Sequence, residues 1–347
     1  MTAFGGWQMP LDYGSVVAEH RAVRDDCGVF DLSHLGTLRV TGRQAVIAVQ
    51  QTFTNDAEAL RVGRAHYTLC LDEQGAIVDD LLVYRLDWGL FVVPNAANTG
   101  AVLDALRSAA REAGDCEVAD VKEGMACLAV QGPRSTEVLA SVGVDAHGLG
   151  YLDCRPLPLG GPGPTPPEAG VLARSGYTGE RGYELFTPAA LAPSLWDRLV
   201  GAGAKPAGLG ARDTLRLEMG YPLHGNDIST ATSPAEARLS WAVKTGTPFR
   251  GRDAYVRALA DGPSRRLWGL RATGRGIPRA HCVVQRDGET VGETTSGTFS
   301  PTLRVGLALA YLDVVVAEGE EVQIDVRGKP VRAQVVKPPF VNADPRR

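Results

Sequence analysis

The sequence has no long apolar segment and little excess charge of either sign. Its longest clean apolar run, Val305–Leu312, is far shorter than the roughly 20 residues that a membrane-spanning helix needs. The 36 Lys and Arg against 40 Asp and Glu give a net charge of −4, which argues against a dedicated nucleic-acid-binding surface. Met1–Trp7 has neither the basic region nor the apolar stretch of a secretion signal. We therefore expect a soluble, cytoplasmic protein.

Metal and nucleotide motifs are also lacking. The six cysteines and six histidines are scattered, with no pair at the spacing of metal ligands, so the sequence predicts no metal site. The cysteines are expected to be unpaired, buried thiols in a reducing compartment. The 41 glycines include neither a dinucleotide-binding fingerprint nor a P-loop.

The 347 residues, 44% of them hydrophobic, predict two or three domains with sizeable cores. A helix is predicted over 15–27, with Gly28 as its left-handed stop. Three strands between 66 and 95, a helix over 99–113, a strand over 127–131 and a helix after Pro133 form an α+β module with an antiparallel sheet, predicted to be ferredoxin-like. The glycine- and proline-rich stretch 160–167 is predicted to be an exposed loop. After a helix at 252–260 the remaining strands predict a small antiparallel barrel or sandwich.

Two adjacent acids interrupt an apolar strand at Asp79 and Asp80. Neighbouring strand residues point to opposite faces, so only one of the two can project into a given cavity. A carboxylate on a buried strand is costly unless it is hydrogen-bonded or functional. The alternative is a β-bulge or a capped edge, and the sequence leaves both open.

Two other segments carry unusual chemistry. Three glycines within seven residues at 176–182 indicate a tight hairpin that brings the backbone close to something flat, although an ordinary turn would look the same. Gly210 opens a helix whose first turn carries Arg212, against the helix dipole. An arginine placed there more often serves an anionic ligand or a carboxylate than helix stability.

Together these segments resemble one family. In order along the chain, the motifs at 30–36, 77–81, 95–98, 176–180, 208–213 and 295–301, and the ending at 336–341, are similar to those of the glycine cleavage system T-protein, the aminomethyltransferase. The resemblance covers nearly the whole chain.

The resemblance implies an α+β, three-domain fold around a central channel. The expected domains are a discontinuous folate-binding domain (1–52 and 151–260), a ferredoxin-like domain (53–150) and a C-terminal β-barrel domain (261–347). It also implies transfer of the one-carbon unit of aminomethyl-lipoyl H-protein to tetrahydrofolate, with release of ammonia and formation of 5,10-methylenetetrahydrofolate. The implied partners are therefore a lipoylated H-protein and folate.

The same resemblance assigns site residues. Asp80 matches the catalytic acid, Glu184 the carboxylate that recognises the pterin, and Arg212 an arginine that contacts folate. Tyr67 and Asn95 match positions lining the pocket, and Tyr177 and Tyr221 are additional wall residues.

Two alternatives stay open at this stage. One is another tetrahydrofolate-dependent one-carbon transferase, such as a demethylase; the other is a non-catalytic folate-binding relative that serves iron–sulfur assembly. For the carrier protein, we expect a local basic docking patch formed by Arg250, Arg252, Arg265 and Arg266, because the overall charge is negative.

Overall fold

The computed structural model describes residues 1–157 and 170–347; the predicted loop at 160–167 lies outside these residues. The strands of the described part are β1 (Thr2–Phe4), β2 (Trp7–Met9), β3 (Gly28–Asp31), β4 (Leu38–Thr41), β5 (Arg64–Leu71), β6 (Ile77–Leu86), β7 (Gly89–Val93), β8 (Glu117–Asp120), β9 (Met125–Gln131), β10 (Cys154–Pro156), β11 (Val171–Ala173), β12 (Gly182–Pro188), β13 (Lys205–Pro206), β14 (Arg265–Ala272), β15 (Val283–Arg286), β16 (Glu289–Phe299), β17 (Gly306–Asp313), β18 (Glu321–Val326) and β19 (Lys329–Val336). The α-helices are α1 (Val16–Asp25), α2 (Ala45–Thr52), α3 (Thr99–Ala113), α4 (Ser135–Ser141), α5 (Ala192–Gly201), α6 (Leu209–Met219) and α7 (Arg252–Asp261). Within these ranges, no helix is long and apolar enough to cross a bilayer.

A five-stranded antiparallel sheet forms the ferredoxin-like module. Its strand order is β5-β6-β7-β4-β8. The last four strands, with α2 after β4 and α3 between β7 and β8, have the ferredoxin-like arrangement, to which β5 adds an edge strand. One face packs on α2 and α3 through residues such as Val49 and Leu106. The prediction of a ferredoxin-like α+β module is confirmed.

A second sheet of six strands, in the order β10-β11-β12-β9-β3-β13, packs against that module. We predicted the strand at 127–131 as part of the ferredoxin-like module, and this is wrong: β9 pairs with β3 and β12. All but the first residue of β9 are buried, so its sequence is one apolar run that carries no signal for its neighbours. Conversely, β4 and α2 belong with the five-stranded sheet. The predicted domain boundaries themselves stay a prediction.

The two sheets pack face to face, and this packing positions the candidate site. Aromatic side chains of β6, β7 and β12 meet in the layer between them, with ring centroids of Phe91 and Phe186 5.0 Å apart and those of Tyr84 and Phe186 5.8 Å apart. The far face of the six-stranded sheet packs on α4 and α5. Strands β6 and β12, which carry the predicted acids, therefore lie against the same apolar layer.

The C-terminal strands form a closed six-stranded antiparallel barrel in the order β14-β17-β16-β15-β18-β19, with β19 pairing back to β14. The barrel, rather than the sandwich, is thus confirmed. Alternate residues such as Val322 and Ile324 fill its interior. The longest strand of the barrel, β16, has little apolar alternation in its sequence, because that segment is rich in Thr, Ser and Gly and carries a bulge between Thr294 and Ser296.

Helix α1 begins as predicted but ends differently. The Ser15 side chain caps it by accepting a hydrogen bond from the Ala18 N–H (3.3 Å). The helix stops at Asp25, and Gly28 is not its left-handed stop: it is the first residue of β3. The reason for glycine there is close packing, since a Cβ at Gly28 would lie 2.5 Å from the Val23 side chain.

Glu218, at the end of α6, joins α1, α6 and the barrel. It is fully buried; its Oε2 accepts hydrogen bonds from Arg24 (Nη2, 2.8 Å) and Thr302 (Oγ1, 2.9 Å), and its Oε1 accepts one from Ser300 (Oγ, 2.5 Å). Burial alone would raise the pKa of Glu218, but the hydrogen bond and charge of His20 and the charge of Arg24 outweigh it and lower the pKa to about 2.

We predict that Glu218→Gln lowers the free energy of unfolding at pH 7 by about 2–4 kcal/mol, because Arg24, whose side chain is only 9% exposed, loses one of its two charge partners. A carboxyl whose pKa is lowered by folding stabilises the protein above its ordinary pKa of 4.5 and loses that contribution as the pH falls toward 2. The difference between wild type and variant, measured by urea unfolding from pH 7 to pH 3, should therefore shrink on acidification.

The matched control for this prediction is Glu137→Gln. Glu137 is exposed and pairs with exposed Arg134 at 3.0 Å, so its loss should cost less than about 0.5 kcal/mol. Equal destabilisation by both variants, or a difference independent of pH, would contradict the assigned role of Glu218.

Candidate active site

The two adjacent acids lie beside a β-bulge on β6. Cys70 pairs with Asp79 and Leu71 pairs with Ile77, so Val78 has no residue opposite it. Bulges re-aim the side chains that follow them. Asp79 is completely buried, whereas Asp80 is half-buried. Both possibilities that the sequence left open, a bulge and a hydrogen-bonded carboxylate, are present together.

Asn95 binds both acids. It follows β7 and precedes the short 3₁₀ turn that leads into α3. Its side-chain Nδ2 donates to Asp79 Oδ1 (2.8 Å) and to Asp80 Oδ1 (3.1 Å), and its backbone N–H donates to Asp79 Oδ2 (3.0 Å). Asn98 Nδ2 donates to Asp79 Oδ1 (2.7 Å), and the Tyr67 hydroxyl donates to Asp80 Oδ2 (3.0 Å). The structure thus brings the predicted residues Tyr67, Asp80 and Asn95 together.

Burial disfavours the charged forms of both acids. Burial raises the pKa of Asp79 to about 7, and the charge of Asp80 adds to that rise while Asn95 and Asn98 oppose it. Burial also raises the pKa of Asp80, against the hydrogen bond from Tyr67 and the charge of His224. For both acids, burial thus opposes the charged form and the surrounding hydrogen-bond donors favour it.

Trp241 is a residue that the sequence analysis missed. Its ring stacks on Tyr67, with centroids 5.2 Å apart and planes at 22°, and it is 60% exposed. It lies on a 3₁₀ turn, Ser240–Ala242, and no local pattern indicates that this turn packs against β5. The stack covers one face of the tyrosine that donates to Asp80.

Glu184, on β12, is buried and anchored through one oxygen. Its Oε2 accepts hydrogen bonds from Ser175 Oγ (2.5 Å) and the Tyr84 hydroxyl (3.1 Å). Both hydrogen bonds that the described residues make to Glu184 end on Oε2, which leaves Oε1 available as an acceptor. Ser175 and Tyr84 were not predicted; both come from other strands or turns, so only the sheet packing identifies them.

Three further predicted residues form an aromatic and cationic group. The rings of Tyr177 and Tyr221 stack with centroids 5.7 Å apart, and the Arg212 guanidinium lies 4.6 Å from the Tyr177 ring centre. Burial lowers the pKa of Arg212, and the facing Tyr177 and Glu184 oppose that shift. Within residues 1–157 and 170–347, Arg212 has no carboxylate within salt-bridge distance. It is therefore a half-buried cation without an ionic partner in the described chain.

The two groups of predicted residues interact electrostatically. Burial raises the pKa of Tyr177, Arg216 opposes that rise, and the charge of Asp80 adds to it, which shows that the acid lies within electrostatic reach of the tyrosine. The first group thus presents a held carboxylate. Among the residues that the structure describes, Glu184 presents a free carboxylate oxygen, and the second group presents a guanidinium without an ionic partner and stacked rings. Such a set can bind a flat, polar molecule and stabilise positive charge near its reacting atoms.

The glycine-rich hairpin brings its backbone close to a flat group, and that group is a side-chain amide of the chain itself. The buried side-chain amide of Gln131 lies against both Gly176 and Gly182, where a Cβ would collide with it. Its Nε2 donates to the Ser175 carbonyl (3.1 Å), and its Oε1 accepts from Thr178 Oγ1 (2.8 Å). Gln131 therefore fixes the hairpin that carries Tyr177 and leads into Glu184.

The predicted basic docking patch is largely paired with acids. Arg250 binds Glu73 (2.9 Å), Arg252 binds Asp253 (3.0 Å) and Arg265 binds Glu236 (2.8 Å). These pairs neutralise most of the charge that the sequence indicated there. The patch stays a prediction with a weaker electrostatic basis.

Comparisons with known proteins agree on one family. Residues 1–247 match the family described as the GCVT N-terminal domain, and residues 265–342 match the glycine cleavage T-protein C-terminal barrel domain. The aminomethyltransferase of Parafrankia sp. (strain EAN1pec) is 50% identical over 99% of this chain and 94% of its own length. That of Frankia alni is 48% identical over 100% and 95%. The crystal structure of the glycine cleavage system aminomethyltransferase T from Bartonella henselae matches with a TM-score of 0.92 and 36% identity, over 99% of this chain and 94% of its own.

The chain belongs to the glycine cleavage T-protein family of folate-dependent transferases. It is an aminomethyltransferase of the glycine cleavage system, and tetrahydrofolate is its one-carbon acceptor. Of the alternatives that the sequence left open, neither the demethylase nor the non-catalytic folate-binding protein is supported by these matches.

We predict that Gly182→Ala destabilises the protein by about 1–3 kcal/mol, because the added methyl group must displace the buried Gln131 amide. The control is Gly100→Ala in α3, where a Cβ meets nothing within 4 Å; there the loss of backbone freedom in the unfolded chain should stabilise by about 0.5–1 kcal/mol. Chemical unfolding measures both, and a neutral Gly182→Ala would show that the hairpin does not depend on this packing.

Proposed function

We propose that this enzyme takes its one-carbon unit from the aminomethyl-lipoyl arm of a lipoylated H-protein. The carbon–sulfur and carbon–nitrogen bonds of the aminomethyl group both break, and the methylene carbon becomes bound to both reacting nitrogens of tetrahydrofolate. The two protons that these nitrogens lose leave with ammonia and with the dihydrolipoyl thiol of the H-protein. The observation that carries the proposal is the held carboxylate of Asp80, within electrostatic reach of a group with free folate-binding atoms.

Glu184 and the aromatic and cationic group fit a folate. A reduced pterin presents adjacent N–H donors, which suit the free Oε1 of Glu184. The planar donors of Arg212, which has no ionic partner in the described chain, suit acceptor or anionic groups of the same molecule. The stacked rings of Tyr177 and Tyr221 provide an aromatic wall. When bound, tetrahydrofolate supplies the two amine nitrogens between which the one-carbon unit is finally held.

We assign to Asp80 the role of the catalytic acidic residue, which acts through its carboxylate. Tyr67 occupies its Oδ2 and Asn95 its Oδ1, so the plane of the carboxylate is fixed before substrate enters. A fixed carboxylate orients the attacking amine and stabilises the positive charge that develops as ammonia departs. Because the site is partly buried, this charge stabilisation is stronger than it would be in water.

We also place the protein in the cytoplasm. All six cysteines are free thiols in the structure, four of them buried, which accords with a reducing compartment.

The test of the proposed function is a turnover assay with tetrahydrofolate and aminomethylated H-protein, following methylenetetrahydrofolate and ammonia together. Free aminomethyl-dihydrolipoamide at equal concentration is the control donor. We expect equimolar products and a much higher kcat/KM with the carrier protein. Absence of folate-dependent ammonia release would refute the proposed donor reaction, whereas equal kcat/KM for both donors would refute a specific role of the H-protein.

We predict that Asp80→Asn lowers kcat by roughly 10²–10⁴-fold while the Kd for tetrahydrofolate changes little, because the substitution keeps the size of the side chain and removes its charge. Single-turnover kinetics measure the rate and calorimetric titration measures the Kd. A wild-type rate in the folded variant would remove Asp80 from the reaction.

We predict that Glu184→Gln and Arg212→Ala weaken tetrahydrofolate binding by about 10- to 150-fold each, the value of a hydrogen bond to a charged group. Arg212→Lys should rescue poorly, since an ammonium cannot reproduce the planar donors. Glu180→Gln, a carboxylate on the same hairpin that binds Arg24 instead (3.0 Å), is the control and should keep the wild-type Kd. Wild-type affinity in both test variants would place folate elsewhere.

A further inference from the structure

We propose that Asp79 is a positioning residue for the transfer reaction: it holds the Asn95 side chain with its amide nitrogen toward Asp80 and thereby fixes the Asp80 carboxylate. This inference rests on the role proposed above for Asp80. From alternation alone, Asp79 points away from its neighbour and should matter little to the rate. The shared asparagine changes that expectation.

Asp79 is less exposed to solvent than Asp80. It is 0% exposed, so it cannot touch a substrate. Burial of a carboxylate is costly unless donors satisfy it. Within residues 1–157 and 170–347, the three side-chain and backbone donors bound to Asp79 come from Asn95 and Asn98. Its hydrogen bonds therefore tie β6 to the turn that starts α3. An apolar residue at this position would avoid the cost of burial but would leave that turn without its acceptors.

The chemistry of an amide explains why the acceptor at Asp79 must be a carboxylate. Asn95 has a donor end and an acceptor end of nearly equal size. Its Nδ2 lies 2.8 Å from Asp79 Oδ1, 3.1 Å from Asp80 Oδ1 and 3.0 Å from the Asp80 carbonyl oxygen. A carboxylate offers no donor at this position when charged, so only the nitrogen end of Asn95 can face it. The same nitrogen then faces Asp80.

A backbone hydrogen bond also holds Asn95 against Asp79. The Asn95 N–H donates to Asp79 Oδ2 (3.0 Å), so Asp79 binds both the main chain and the side chain of one residue. Rotation of the Asn95 side chain would break its bond to Asp79 and its bond to Asp80 together. With an asparagine at position 79, one of the two acceptor oxygens becomes a donor, and the Asn95 amide loses its fixed direction. Asp80 would then keep Tyr67 as its positioning donor on Oδ2 and lose the one on Oδ1.

The primary test is Asp79→Asn. We expect kcat to fall about 10- to 100-fold, as for a misplaced catalytic group, with the calorimetric Kd for tetrahydrofolate within about twofold of wild type. A crystal structure of the folate-free variant should show the Asn95 amide turned away from Asp80. A wild-type kcat, or an unchanged Asn95–Asp80 hydrogen bond, would overturn the proposal.

A double-mutant cycle separates positioning from a merely structural role. If Asp79 acts through Asn95, the kcat of Asp79→Asn with Asn95→Ala equals that of Asn95→Ala alone. If the double variant instead shows the product of the two single-variant losses in kcat, the proposal is overturned. Should Asp79→Asn fail to fold, Asn95→Ala still decides, since a wild-type kcat in that variant would show that the bridge does not serve the reaction.

The matched control is Asp72→Asn at the tip of the same hairpin. Asp72 Oδ1 accepts hydrogen bonds from the backbone N–H groups of Gln74 and Ala76 (2.9 Å each), so its loss should lower stability without changing kcat. Measurements on Asp80→Asn distinguish the positioning role of Asp79 from the proposed role of Asp80. A wild-type kcat in Asp80→Asn refutes the role of Asp80. A further loss of kcat when Asp79→Asn is added to Asp80→Asn refutes the proposal that Asp79 acts through Asp80.

Discussion

The structure depends on one constraint: a carboxylate taken out of water must find donors inside the protein. Glu218 meets this constraint by binding Arg24 of the first helix and Ser300 and Thr302 of the barrel. Each of those segments is distant in sequence from α6. Because the acid cannot be satisfied unless all of them are in place, its burial couples the docking of the barrel to the packing of α1 against α6.

The same constraint builds the active site. Glu184 on β12 is satisfied by Ser175 and by Tyr84 of β6, so it links the six-stranded sheet to the five-stranded sheet. Asp79 on β6 is satisfied by the turn after β7. The apolar layer between the sheets supplies the burial energy, and the acids set which residues stand opposite one another. The site is thus assembled by the contacts that hold the sheets together.

Local elements and the family could be predicted from the sequence. Contacts between residues that are distant in the sequence could not. Periodicity and turn residues located α3 at 99–113 with the bounds observed. The family motifs named Asp80, Tyr67 and Asn95, which the structure joins by hydrogen bonds. No local pattern could show that β9 pairs with β12, since a strand buried on both faces carries no periodicity. Likewise, Trp241 stacks on Tyr67 from a segment more than 170 residues away.

The degree to which each buried acid is satisfied separates structural from functional carboxylates. Glu218 accepts hydrogen bonds on both oxygens from several groups and has no capacity left for a substrate. Asp79 is also bonded on both oxygens, but its donors belong to the asparagine that holds Asp80. Among the described residues, Glu184 has hydrogen-bond partners on one oxygen only, and Asp80 is half-buried. Free acceptor capacity in a partly dry site strengthens any hydrogen bond or charge interaction made there. Ligand recognition and charge stabilisation are therefore expected to be concentrated on Glu184 and Asp80.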